Sequence, residues 1–185
     1  MEKEKFTTRK IVYLAVMAAI VCVVTFFRFP LLGSKVHFAN AMCLLAGLLF
    51  GGVGGGLAAG LGSGLYDALF GGYDFAEALV TFATKFLMAW LCAAAAGRPG
   101  PDGKRKRAVL GCAVGALGYV ALYMLKTYLY QRFVYGYPLD TTWATMLSKL
   151  PASAINAAVA VIAAPILYTA ILPALRRAHL LDKAA

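Results

Sequence analysis

The chain has 185 residues, 62% of them hydrophobic and 14% charged, with a formal net charge of +10. Soluble domains carry about 25% charged residues, so this composition excludes a soluble globular fold and indicates an integral membrane protein. The length accommodates about six spans of roughly 20 residues and leaves no room for a separate soluble domain.

In chain order, Lys3, Lys5, Arg9 and Lys10 precede a first apolar run. It is longer than a signal-peptide core, lacks a small-residue cleavage site and opens a series of further spans, so it reads as helix one, about 10–27. RFPLLGSKVH, broken by Pro30 and Gly33, reads as an outer loop. Helix two, about 38–50, is short for a bilayer and turns directly into helix three, about 52–70, GGVGGGLAAGLGSGLYDALF. In helix three Gly52, Gly56, Gly60 and Gly64 recur every fourth residue, beside the row Gly51, Gly55, Ala59 and Ser63. In water such a run is a poor helix, since each glycine costs about 1 kcal/mol relative to alanine. In a bilayer the backbone must pair internally, and small-residue rows let a neighbouring helix approach closely. Helix three is therefore the expected packing spine.

Helix four, about 75–96, ends at the breaker GRPGPDGKRKR, the main basic loop. Helix five, about 108–130, leads into the tyrosine-rich outer loop QRFVYGYPLD. Thr141 and Thr142 cap helix six, about 141–172, in which Pro151 and Pro165 predict kinks. The fold class is an all-α six-transmembrane-helix bundle forming a single membrane domain over residues 1–185.

Twelve of the 18 basic residues fall in the N-terminal segment, the GRPGPDGKRKR loop and the C-terminal segment, all on one side of six spans. Arg28, Lys35 and Arg132 face the other side. This asymmetry places both termini in the cytoplasm. The basic charge is then a topology signal, with no nucleic acid implied. Cys22, Cys43, Cys92 and Cys112 are scattered singly without metal-ligand spacing, and read as small buried thiols. No metal or cofactor is expected. Paired acids at a spacing that would hold Mg2+ against a lipid phosphate, HExxH, GxSxG and a P-loop are absent from the sequence, so no enzyme is indicated.

Counting depth at 1.5 Å per residue, Asp67 lies about 5 Å and Lys126 about 6 Å from the outer helix ends, while Lys85 and Lys149 lie about 12 Å deep. Asn40 opens helix two and Asn156 sits near mid-bilayer. Helical spacing gathers these into stripes: Glu77, Thr81 and Lys85; Tyr119, Tyr123, Lys126 and Tyr130; and Thr142, Thr145, Lys149, Ser153 and Asn156. A charge in a span costs about 2.5 to 3.5 kcal/mol, so such stripes face a bundle interior or a wet cavity. Together they imply a cup open to the outside. Its candidate ligand contacts are Asn40, Asp67, Lys85, Tyr123, Lys126, Lys149 and Asn156. Three lysines against Asp67 favour a ligand bearing a carboxylate, a phosphate or ring carbonyls, and tyrosines suit a flat ring. The alternatives are snorkelling for Asp67 and Lys126, a structural lysine pair for Asp67, and interface packing for the tyrosines. His37 reads as a solvated loop residue.

The stretch from Lys35 to Met88, KVHFANAMCLLAGLLFGGVGGGLAAGLGSGLYDALFGGYD and then LVTFATKFLM, resembles the substrate-binding S components of energy-coupling factor (ECF) vitamin transporters. The shared pattern is a short second helix, a glycine turn, a third helix ending in an acid and a fourth with a lysine after TF. The resemblance implies a bacterial cytoplasmic-membrane protein that captures a vitamin from outside without hydrolysing ATP. A transmembrane T component and two ATP-binding-cassette ATPases would be its partners and would topple it to deliver the ligand. Ala15 and Ala19 match the family's AxxxA docking spacing, although alanines four apart also pack any helix pair. The outer loops 28–37 and 131–140 would be lids. Riboflavin-like, pyridoxine-like, pantothenate-like and queuine-like substrates all remain open. The rivals are a stand-alone channel or facilitator, and a membrane enzyme acting on lipid intermediates.

Overall fold

The computed structural model describes residues 7–31, 34–97 and 105–177. Lys3, Lys5, Gly33, Arg98, Lys104 and Lys183, invoked above for loops and charge asymmetry, lie outside the described residues. Thr7 caps the first helix by accepting a hydrogen bond from the Lys10 backbone N–H at 3.3 Å, and α1 runs Thr8–Phe26. The segment expected to be a loop is instead an antiparallel ribbon, β1 Arg28–Leu31 and β2 Ser34–His37, with Arg28 opposite His37 and Pro30 opposite Lys35. Each strand of a two-stranded ribbon has an open edge, which is where a proline does not break the ladder. The chain is therefore mostly helical, and the purely helical expectation is corrected by this ribbon.

Helices two and three of the sequence reading form one run, α2 Ala39–Leu69, interrupted at Gly51, whose φ of 77° and ψ of −172° suit glycine alone. The run reverses there. Cys43 Sγ and Ser63 Oγ lie 3.7 Å apart, whereas 20 residues of straight helix would span about 30 Å. A Cβ on Gly55 would sit 2.6 Å from Gly47 Cα, so the two limbs touch backbone to backbone. The other glycine faces carry the remaining neighbours. Gly56 and Gly60 lie under the Phe86 and Phe82 rings of the following helix, α3 (Phe75–Ala96), and Gly62 lies against Ala18 and Val21 of α1. With 67% of its most apolar stretch buried, against 28% for each of the other long helices, α2 is the spine the glycine pattern implied.

Asp74 caps α3, Phe75–Ala96, by accepting from the Glu77 backbone N–H at 2.7 Å, and Gly97 ends it at φ 72°. The next helix, α4, spans Arg105–Leu129, beginning three residues before the expected start, and passes into a π-helical turn, Tyr130–Val134. The last, α5, runs Leu139–Arg177 and holds Pro151, Pro165 and Pro173 within one helical run. At 39 residues it is about 58 Å long, longer than a ~30 Å hydrocarbon core. Among the described residues five helices are long and apolar enough to cross a membrane. Their shared core joins Leu14, Val21, Leu44, Met88, Ala160 and Tyr168, while Ile11, Val16, Leu117 and Ile162 point outward. Of the cysteines, Cys43, Cys92 and Cys112 are buried and Cys22 is half-buried.

Replacing Gly51 by Ala forces a side chain into a backbone region that costs about 1 to 3 kcal/mol. The thermal unfolding midpoint of the detergent-solubilised protein should fall by several degrees, whereas Val53→Ala, on the outward face, should leave it unchanged. An unaltered midpoint for Gly51→Ala would show that the reversal does not depend on glycine.

Candidate functional site

The helix stripes meet in one cavity of about 270 Å³ at the ribbon end of the bundle. That is close to the ~300 Å³ lower bound of small-molecule sites. Thr25 reaches the cavity from α1, and about 26 Å of helix separates it from Thr8, so the two ends of the bundle are distinct.

From α3, Glu77, Thr81 and Lys85 line the cavity, and from α4 and the π-helical turn come Tyr119, Tyr123, Lys126, Tyr130 and Gln131. From α5 come Lys149, Ser153 and Asn156. The upper part of that stripe does not reach it: Thr142 is fully buried and donates to Pro138 O, and Thr145 donates to Thr141 O. The reversal at Gly51 brings Ser63 and Asp67 of the second limb beside Ala39 of the first. Of the seven candidate contacts, Asp67, Lys85, Tyr123, Lys126, Lys149 and Asn156 line the cavity.

Asn40 does not line it. It is 2% exposed and lies behind the wall, where its Oδ1 accepts a hydrogen bond from Lys85 Nζ. The Lys85 ammonium also lies 3.7 Å from the centre of the Tyr119 ring. A charge-assisted hydrogen bond contributes about 1.5 to 3 kcal/mol and a desolvated cation–π contact about 2. Those two terms together are large enough to offset the insertion cost of about 2.5 to 3.5 kcal/mol for a lysine in a span. Lys85, only 3% exposed, is thereby held without a carboxylate.

Asn156 lines the cavity, but its amide is engaged by the ribbon. Nδ2 donates to Lys35 O at 2.7 Å, and Oδ1 accepts from the His37 N–H at 2.9 Å. One side chain thus pairs with β2 as a neighbouring strand would, tying the ribbon to α5. Lys126 faces Glu77, its Nζ 3.7 Å from Oε1. Lys149 sits 6.0 Å from the Tyr123 ring centre, and Tyr119 and Tyr123 stack at 6.2 Å and 23°.

Arg28, Lys35 and His37 on the ribbon, and Gln131 on the π-helical turn, also line the cavity, and the sequence reading did not include them. Their signal was a short cationic segment with a histidine between two helices, recognisable as part of a site only once the ribbon folds inward. His37 is half-buried at the cavity and not an open loop residue. Burial first, then the nearby charges of Lys85, Arg28 and Lys35, lower its pKa from 6.5 to about 3. Its Nδ1 and Gln131 Oε1 are buried without a hydrogen-bond partner among the described residues. Unpartnered buried polar atoms are rare and costly, and here both belong to one cavity.

Ala15 and Ala19 lie away from the cavity, exposed on the outward face of α1 among Ile11, Val12, Val16 and Ile20.

Residues 5–172 match the family described as ECF-type riboflavin transporter, S component. A solved structure from a study titled "Structure and mechanism of the S component of a bacterial ECF transporter" superposes with a TM-score of 0.70 at 21% identity. That match covers 91% of this chain and 98% of the other, and it shows a common fold. No curated protein sequence matches the chain.

Because folded His37 stays neutral down to about pH 3 while the unfolded residue takes a proton below about 6.5, its contribution to stability is complete above pH 6.5. It is lost progressively as pH falls towards 3. In paired pH titrations of thermal stability, wild type should lose more than His37→Asn across that window. Parallel curves would place His37 in water.

Proposed function

The chain belongs to the ECF-type riboflavin transporter S-component family, and from that premise we propose that it is the high-affinity binding subunit of a vitamin importer. It captures a small ring compound from outside in the ribbon-end cavity. It does no chemistry on that compound and hydrolyses no ATP; a T component and two ATP-binding-cassette ATPases deliver it to the cytoplasm. Residues 1–185 act as one membrane domain in a bacterial cytoplasmic membrane. The two antiparallel limbs of α2 count as separate crossings, giving six spans with both termini in the cytoplasm, as the basic asymmetry requires.

The observation that carries this reading is the convergence of stacked tyrosines and lysines from α3, α4 and α5 with the cations of the ribbon on one cavity. Asp67, Lys85, Tyr123, Lys126 and Lys149 are the proposed ligand contacts. Asn40 acts through Lys85, and Asn156 acts through the ribbon. Riboflavin, named in the family description, is the first compound to test.

The exposed small-residue face of α1 is the proposed T-component dock, since Ala15 and Ala19 would let a partner helix approach closely. Changing either to Leu should leave ligand affinity of the isolated protein within threefold and cut ATP-driven uptake by the assembled complex at least fivefold. Normal uptake would remove α1 from the docking surface. In liposomes the chain alone should bind ligand without sustained flux. Continuous flux would instead establish the stand-alone facilitator.

A further inference from the structure

We propose that Cys92 and Cys112 form an oxidation site, a dithiol that a neutral, membrane-soluble hydroperoxide converts to a disulfide stapling α3 to α4. The pair lies outside the ligand cavity, and the proposal stands apart from the reading of that cavity. Cys92 Sγ lies 3.9 Å from Cys112 Sγ, and both residues are wholly buried. The other two cysteines are placed differently: Cys43 Sγ faces Ser63 Oγ at 3.7 Å, and Cys22 is half-buried on α1. Glycines bring the two backbones together at this level. Gly111 and Gly115 flank Cys112 on α4, and both face Cys92. A Cβ on Gly115 would sit 2.9 Å from Cys92 Cβ, and one on Gly111 would sit 2.5 Å from Cys92 O. Such an approach suits a disulfide, whose Cβ atoms stand about 3.5 to 4.5 Å apart.

The pair also has a place in the register of the seam. Glu77 with Lys126, Lys85 with Tyr119, and Cys92 with Cys112 meet in opposite chain directions along α3 and α4. The cysteines are the rung two helical turns, about 10 Å, from the Lys85–Tyr119 contact, so a bond there restrains the wall that presents both residues to the cavity. In the chemistry, one sulfur attacks the terminal oxygen of the hydroperoxide ROOH. The O–O bond breaks, the thiol proton passes to the leaving alkoxide to give ROH, and a sulfenic acid remains. The second sulfur then attacks the first, the S–O bond breaks and water departs. Two thiols and ROOH thus give a disulfide, ROH and water, the sulfurs losing the two electrons that the peroxide gains. Burial keeps thiolate scarce and charged reagents out, which makes the reaction slow and selects an oxidant that dissolves in the bilayer. A disulfide places no charge in the span, whereas a sulfinate would place an anion there.

Treating the full chain in lipid vesicles with cumene hydroperoxide, followed by non-reducing peptide mass spectrometry, tests this. The intact protein should lose two hydrogens, and the peptides containing Cys92 and Cys112 should be recovered joined. Dithiothreitol should separate them after unfolding. The thermal unfolding midpoint of the oxidised protein should rise by at least about 4 °C. The charged oxidant tetrathionate, at the same concentration and time, should give no more than about a tenth of that cross-link. Cys22→Ala with Cys43→Ala should retain the cross-link and Cys112→Ala should lose it; where a variant does not fold, peptide mapping of the wild-type chain decides by itself. Oxygen atoms added to Cys92 or Cys112 without a cross-link overturn the proposal, and so does a cross-link through Cys22 or Cys43. Equal yields from the two oxidants overturn the bilayer-soluble co-reactant, and a joined pair whose midpoint is unchanged or lower overturns the staple. Any of these results leaves the binding-subunit reading intact.

Discussion

The close approach permitted by glycine along Ala39–Leu69 governs the arrangement of everything else. Without a Cβ at Gly55 the second limb meets the first at Gly47, and without Cβ atoms at Gly56 and Gly60 the rings of Phe86 and Phe82 settle onto helix backbone. Within hydrocarbon there is no hydrophobic gain from bringing helices together, so such van der Waals contact is what remains to hold them. The reversal at Gly51 has a second effect. Asn40 and Asp67 are 27 residues apart in sequence and would be about 40 Å apart on a straight helix. The hairpin returns both to the ribbon end of the bundle, where one braces Lys85 and the other lines the cavity.

The electrostatics of that end follow from a scarcity of carboxylates. Cations held in a span are ordinarily costly, and here aromatic faces and amides take the place of counter-ions. Lys85 rests on Tyr119 and Asn40, Arg28 on Tyr66, and Lys35 on Tyr73. The two asparagines divide the supporting work between them. Asn40 positions a charge from behind, while Asn156 holds the strand that delivers other charges from above. Each amide oxygen already accepts a hydrogen bond from within the protein.

The bundle separates two surfaces of opposite character. Its ribbon end is polar, with a cavity lined by cations and tyrosines. The outward face of α1, carrying Ala15 and Ala19 among Ile11, Val12 and Val16, is apolar and exposed among the described residues. On the proposed reading as a binding subunit, the first surface would select a solute and the second would meet a partner protein in lipid, where small side chains favour close contact.

Several features were legible in the residues alone because they depend on local periodicity. The membrane class follows from composition, and the glycine spine follows from its four-residue spacing. The inward stripes Glu77–Thr81–Lys85 and Tyr119–Tyr123–Lys126–Tyr130 line the cavity as a helix period demands. What depends on contacts between distant segments was decided only by the tertiary structure. RFPLLGSKVH has the composition of a loop, yet pairs as a ribbon because Asn156, about 120 residues away, engages its backbone. His37 loses water because the ribbon folds over the bundle end, and Asn40 moves from ligand contact to brace because Lys85 reaches it across two helices. Periodicity assigns a residue to a face of its own helix. Only packing determines what that face meets.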